Sequence, residues 1–262
     1  MEKQHITTLD GCRIAYRFDG PEGAPVLLLS NSLGTDMGMW EPQMAAWTQA
    51  FRVLRYDSRG HGASGSPAGA YSMDRLGRDV VDLLDALELD RVHFCGLSKG
   101  GMVGQWLAVH APERLDRLVL ANTAAYMGPP SNWQNRIEGV LKDGMAPLTE
   151  ASIARWFTPE FPARDPQAVE PIRAMLLAND PTGYAGCCAA IRDMDQRPTA
   201  RLNQTPTLVI AGELDPSTSI GDAAFLADSA GKGRLFTLPA AHLSNVECPQ
   251  AFGNAVAEHL LS

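Results

Sequence analysis

Val92-His93-Phe94-Cys95-Gly96-Leu97-Ser98-Lys99-Gly100-Gly101-Met102-Val103-Gly104-Gln105-Trp106 opens as a short apolar run, breaks into Gly-x-Ser-x-Gly and continues in a helix-like pattern. A strand that turns sharply into a helix around a serine is the pattern of a nucleophile elbow. A serine hydroxyl is a weak nucleophile at neutral pH. It needs a tight turn to present its oxygen, a base to accept its proton and backbone donors for the oxyanion. Gly96 and Gly100 flank Ser98 where side chains would collide with the neighbouring strand and helix, and Gly101 permits close packing at the helix start. Five residues of this kind recur by chance in glycine-rich chains, so the strand before and the helix after them carry the reading.

Outward from the elbow, the chain alternates strand-like and helix-like segments. Residues 6–18 alternate around Asp10-Gly11 and read as an opening β-hairpin, and the continuous apolar run Val26-Leu27-Leu28-Leu29-Ser30 is typical of a strand covered on both faces. Further strands are expected at 51–56, 92–95, 115–121, 207–211 and 233–238, with helices at 42–49, 73–87, 100–110 and 249–261. This rhythm predicts an α/β fold with a doubly wound, mostly parallel sheet. Residues 126–204 interrupt it. They carry little strand signal but helix-like periodicity at 132–142, 149–157, 165–179 and 182–194. The expected organisation is a core of residues 1–125 and 205–262 with a helical cap, 126–204, inserted over the edge of the sheet where ligands bind.

The 262-residue length suits one such domain, and a net charge of -8 without a block of Lys or Arg argues against nucleic-acid or anionic-membrane partners. No stretch reaches the roughly 18 apolar residues of a membrane span, and residues 1–20 lack a leader-like apolar core. The five cysteines, Cys12, Cys95, Cys187, Cys188 and Cys248, are odd in number and irregular in spacing, which fits reduced thiols. The expectation is a cytoplasmic protein acting on small molecules.

A nucleophile elbow calls for an acid and a base later in the chain, in the order Ser, Asp or Glu, His. Asp215 follows the strand at 207–211 on a turn, where its carboxylate can accept the imidazole Nδ1 proton; Glu213, earlier on that turn, is a weaker candidate. His242 lies after the last strand and before the terminal helix. His61, in Arg59-Gly60-His61-Gly62, is its rival, as a base or as a structural histidine in a tight turn, and chain order favours His242. The oxyanion hole should use the N–H of Lys99, after the nucleophile, and that of Leu33 in the loop Ser30-Asn31-Ser32-Leu33-Gly34-Thr35, which Asn31 or Ser32 would brace.

Together these parts resemble the α/β-hydrolase family over essentially the whole chain, including the turn Asp57-Ser58-Arg59-Gly60-His61-Gly62. More specifically, Ser30-Asn31-Ser32-Leu33-Gly34-Thr35, the elbow with Gly100 to Trp106, Ala121-Asn122-Thr123-Ala124-Ala125, Cys188 to Asp195, and Ala240-Ala241-His242-Leu243-Ser244-Asn245 resemble bacterial 3-oxoadipate enol-lactonases. The resemblance implies a carboxylic ester hydrolase that opens the ring of 3-oxoadipate enol-lactone in aromatic-compound catabolism (the β-ketoadipate pathway), with a Ser98, Asp215, His242 triad and neither metal nor organic cofactor. It also implies a substrate with one free carboxylate, for which Arg136 and Arg192 in the cap and Lys99 are candidate cations and Trp133 a candidate apolar wall. Lys99 departs from those lactonases, which typically carry methionine there. Its side chain is expected to reach solvent; inside the site it would lower the His242 pKa or attract a carboxylate. The alternatives are another esterase, a carbon-carbon bond hydrolase, an acyl-homoserine lactonase, a cofactor-free perhydrolase or haloperoxidase, and a noncatalytic receptor on the same scaffold.

Overall fold

The computed structural model describes residues 3–262, and the strand that feeds the elbow runs near the middle of a single eight-stranded sheet. In chain order the strands are β1 (Gln4–Thr7), β2 (Arg13–Asp19), β3 (Val26–Ser30), β4 (Arg52–Tyr56), β5 (Val92–Leu97), β6 (Leu115–Ala121), β7 (Thr207–Gly212) and β8 (Gly233–Leu238). Across the sheet they lie in the order β1-β2-β4-β3-β5-β6-β7-β8. The β1–β2 hairpin and the β2–β4 pair are antiparallel, and every other neighbouring pair is parallel.

Helices α1 (Glu41–Trp47), α2 (Met73–Ala86) and α3 (Lys99–His110) follow β3, β4 and β5. After β6 come α4 (Pro130–Asp143), α5 (Ala146–Trp156), α6 (Phe161–Arg164), α7 (Pro166–Leu177) and α8 (Pro181–Arg192), then α9 (Ile220–Ser229) after β7, and α10 (Ser244–Glu247) and α11 (Pro249–Leu261) at the end. Successive strand residues point to opposite faces. Leu27, Leu28 and Leu29 are all fully buried, so both faces of the central sheet are covered, as the unbroken apolar run anticipates.

Two local differences from the sequence reading have physical causes. The helix expected over 165–179 forms as α7, but a short separate helix that the sequence reading lacks, α6, precedes it; Asp165 leaves helical geometry between the two, and its carboxylate caps α7 by accepting the Ala168 N–H. Helix α9 is not anticipated by apolar periodicity, since its buried face is Ala223, Leu226 and Ala227. Its signal is a capping box, in which the Ser219 hydroxyl accepts from the Asp222 N–H and the Asp222 carboxylate accepts from Ser219.

The parallel register aligns the carboxyl ends of five strands. Ser30 pairs with Gly96, Leu97 with Ala121, Ala121 with Ile210, and Gly212 with Leu238. The segments leaving β3, β5, β6, β7 and β8 therefore emerge at one edge, and the helical segment α4–α8 branches from it between β6 and β7. Among the described residues no helix is long and apolar enough to cross a membrane.

Candidate active site

Ser98 stands between β5 and α3 with φ 57° and ψ -116°, a backbone conformation uncommon outside glycine. Neighbouring contacts hold it there. Its N–H donates to the Ala121 carbonyl at 2.8 Å, and its carbonyl accepts from the Thr123 hydroxyl at 2.8 Å and the Met102 N–H at 3.0 Å. A Cβ at Gly96 would overlap the Gly100 carbonyl, and one at Gly100 would overlap the Ser30 carbonyl, so the strand-to-helix turn closes this tightly only with glycine at both positions.

The loops after β7 and β8 bring Asp215 and His242 to the serine. His242 Nε2 lies 2.9 Å from Ser98 Oγ, and Nδ1 lies 2.8 Å from Asp215 Oδ2. An ionised carboxylate only accepts, so the imidazole proton sits on Nδ1 and Nε2 is left to accept from the serine hydroxyl. Burial alone would raise the Asp215 pKa. The facing His242 and hydrogen bonds from His242, the Thr218 hydroxyl and the Ser217 N–H outweigh it, holding the carboxyl below its ordinary value. Asn122 braces the same carboxylate through Nδ2 at 3.1 Å while its Oδ1 accepts from the Ser244 hydroxyl at 2.6 Å. Glu213 is exposed and bonds the Thr237 hydroxyl instead.

The loop after β3 crosses the mouth of the elbow. Asn31 donates to the Tyr56 carbonyl at 2.8 Å and accepts from the Trp40 indole at 2.8 Å, while the Gly34 N–H donates to His61 Nε2 at 2.9 Å. His61 thus supports the loop rather than reaching Ser98. Burial first, then the positive charge of Lys99, pushes its pKa well below the ordinary histidine value, which keeps Nε2 an acceptor. The N–H of Lys99 belongs to the first turn of α3, which has no intrahelical acceptor. Among the described residues neither it nor the Leu33 N–H donates to a protein acceptor.

A cavity of about 330 Å³ opens over these groups. Ser98, His242 and Leu33 line it together with residues of the segment α4–α8, among them Trp133, Arg136, Arg155, Trp156 and Tyr184. The Arg136 guanidinium lies 5.1 Å from the Trp133 ring centroid and 3.4 Å from the Tyr184 hydroxyl; Arg155 has the Ser152 hydroxyl at 3.3 Å. Neither arginine is ion-paired among the described residues. Burial, and then the charge of Arg136, lowers the Arg155 pKa. Two guanidinium groups without carboxylate partners among the described residues leave N–H donors at the cavity wall for an acceptor.

Of the residues singled out in the sequence, Trp133 and Arg136 line this cavity and Arg192 does not. Both forks of Arg192 are engaged, with Asp193 at 2.8 Å and Gln134 at 2.6 Å. Lys99 does not reach solvent: it is 1% exposed and is not part of the cavity lining. Burial lowers its pKa, against the opposing influence of Cys187 and Cys188 of α8 and of Asp79 and Asp57. Two contributors, Thr218 and Arg155, are absent from the sequence reading, and Asn122 stands there only within the Ala121-Asn122-Thr123-Ala124-Ala125 segment, with no role. Thr218 and Asn122 hold Asp215, and Thr218 has a local signal, lying three residues beyond the acid it bonds. Arg155 has none, because on an amphipathic helix it reads as one more surface charge.

A family model described as the alpha/beta hydrolase fold matches residues 25–247. The chain is 43% identical to 3-oxoadipate enol-lactonase 2 of Acinetobacter baylyi over 97% of its own length and 95% of the relative's. Among solved structures, an enol-lactonase from Burkholderia xenovorans superposes with a TM-score of 0.97 at 40% identity, covering 99% of this chain and 100% of that one. A hydrolase from Pseudomonas aeruginosa superposes with a TM-score of 0.97 at 50% identity, covering 100% and 99%.

Proposed function

This chain belongs to the α/β-hydrolase fold family, and from that premise we propose that it is a carboxylic ester hydrolase that opens 3-oxoadipate enol-lactone to 3-oxoadipate. The observation that carries the reading is one cavity that joins a hydrogen-bonded Asp215, His242, Ser98 run to two arginines without carboxylate partners among the described residues. The full-length similarity to enol-lactonases supports the choice of substrate. Residues 126–204 are read as a cap on a core of 1–125 and 205–262, and the free thiols of all five cysteines fit a reducing, cytoplasmic setting.

In this reading Ser98 Oγ attacks the lactone carbonyl as His242 Nε2 takes its proton, and Asp215 stabilises the imidazolium that forms. The Leu33 and Lys99 N–H groups hold the tetrahedral oxyanion. The carbonyl-to-ring-oxygen bond then breaks. The ring oxygen leaves as an enol carrying the proton from His242, and the enol becomes a ketone, which draws the reaction forward. Water, deprotonated by His242, attacks the acyl-serine and releases the new carboxylate and the free serine. The carboxylate that the substrate already carries sits against Arg136 and Arg155, with Trp133 as an apolar wall.

Ser98→Ala tests the assignment. It should remove enol-lactone turnover and fluorophosphonate labelling while leaving the circular dichroism spectrum unchanged; turnover retained by the variant refutes the role given to Ser98.

A further inference from the structure

The two peptide N–H groups that flank His242 are both bonded away from their own loop. The Ala241 N–H donates to Glu247 Oε2 at 2.8 Å, and the Leu243 N–H donates to the Trp156 carbonyl at 2.9 Å. Trp156 ends α5, and the turn that follows reaches the same carboxylate from the other side. The Thr158 N–H lies 3.2 Å from Glu247 Oε1, and the Thr158 hydroxyl donates to that oxygen as well. Glu247 is 7% exposed and has no cationic partner among the described residues. Three donors from two separate segments therefore converge on one buried carboxylate, and one of those segments carries Arg155 and Trp156 into the cavity.

From this we propose that Glu247 is a positioning residue: with the 156–158 turn it ties the His242 loop to the helical segment over the cavity. The alignment of the base with Ser98 and the seat of Arg155 and Trp156 are then set together. A carboxylate suits this post because it only accepts, and it has room for all three donors. An amide at the same position offers one acceptor oxygen. Its NH2 would face either the Ala241 N–H or the Thr158 N–H, donor against donor. The His242 ring would move with its backbone, and an offset on the order of 1 Å in a catalytic group costs up to ~100-fold in rate.

The inference rests on His242 being the base of the proposed hydrolysis, so the test includes readouts that do not depend on the natural substrate. Glu247→Gln and Thr158→Val are made in the full chain. Each is assayed for kcat and KM with 3-oxoadipate enol-lactone and with p-nitrophenyl acetate, and for the rate of Ser98 labelling by a fluorophosphonate, all normalised to titrated active sites. Glu247→Gln should lower kcat on both substrates and the labelling rate by about 10-fold, with KM within about twofold. Thr158→Val, which keeps the bond from Ala241 to Glu247, should lower them by about threefold. A purely structural role would reduce the number of titratable sites and leave the rate per site unchanged; that result overturns the proposal. If Glu247→Gln does not fold, Thr158→Val decides, and an unchanged rate per site overturns the proposal equally. Slowed labelling and slowed p-nitrophenyl acetate turnover in a protein inert to the enol-lactone would uphold the positioning role and refute the lactone reading alone.

Discussion

Replacing Arg155 with methionine removes one of the two guanidinium groups on the cavity wall while keeping most of the aliphatic stem that packs there. The two groups are close enough for the Arg136 charge to lower the Arg155 pKa, and neither has a carboxylate partner in the described residues. The Ser152 hydroxyl loses the Arg155 donor but keeps its bond to the Leu148 carbonyl, so the main cost of the change appears when an anion is bound. A hydrogen bond to a charged group contributes about 1.5–3 kcal/mol, and the partial exposure of this wall favours the lower end. That is about a tenfold loss in kcat/KM for a lactone that bears a carboxylate, since 1.4 kcal/mol is a factor of ten. The loss should fall mainly on KM, because the carboxylate is remote from the reacting carbonyl and is held equally in ground and transition states. Arg136→Met should behave alike, with an added contribution from its packing on Trp133. Steady-state kinetics with the enol-lactone and with p-nitrophenyl acetate provide the comparison. If Arg155→Met and Arg136→Met slow both substrates equally, or neither, anion capture by this wall is wrong.

Asp215→Asn should leave Ser98 in place but favour the wrong imidazole tautomer, lowering kcat by about 10⁴-fold, as measured by burst and steady-state kinetics. The same variant bears on acid stability. The folded pKa of Asp215 is depressed, so its stabilisation is present above the unfolded value of about 3.9 and is lost as pH falls through the lower folded value. Denaturant titrations should show wild-type stability declining over that range more steeply than Asp215→Asn. Lys99 has the opposite sign. Its depressed pKa means that the buried ammonium opposes folding below the folded value, and that this cost disappears above the unfolded value of about 10.4. Lys99→Met should therefore raise Tm at pH 7, with the gap narrowing as pH approaches that value; an equal or lower Tm at pH 7 contradicts the reading of Lys99 as an uncompensated buried charge.

Features set by short-range chemistry were the legible ones. Gly96, Ser98 and Gly100 form a turn whose steric demands are local, and Asp215 and His242 each follow an apolar run that ends at the ligand-binding edge of a parallel sheet. The supports of the site were less legible because they are contacts between distant segments. Asn122 reaches across 93 residues to Asp215, and although its segment carries part of the resemblance, nothing beside it in the chain shows which residue it bonds. The arginines show the same limit. Arg136, Arg155 and Arg192 all lie on helices of one insert, and only the packing of those helices turns the first two toward the cavity and gives the third to Asp193 and Gln134. The burial of Lys99 is hidden for a related reason: a residue at a helix start has solvent beside it unless distant segments pack over that end.

Ring opening of an enol-lactone that carries a carboxylate is the central claim, and kcat/KM measured on one enzyme preparation with 3-oxoadipate enol-lactone, p-nitrophenyl acetate and an acyl-homoserine lactone tests it most directly. The presence of Arg136 and Arg155 in the cavity that holds Ser98 predicts that the enol-lactone is the best of the three. A higher kcat/KM for either of the others would contradict it.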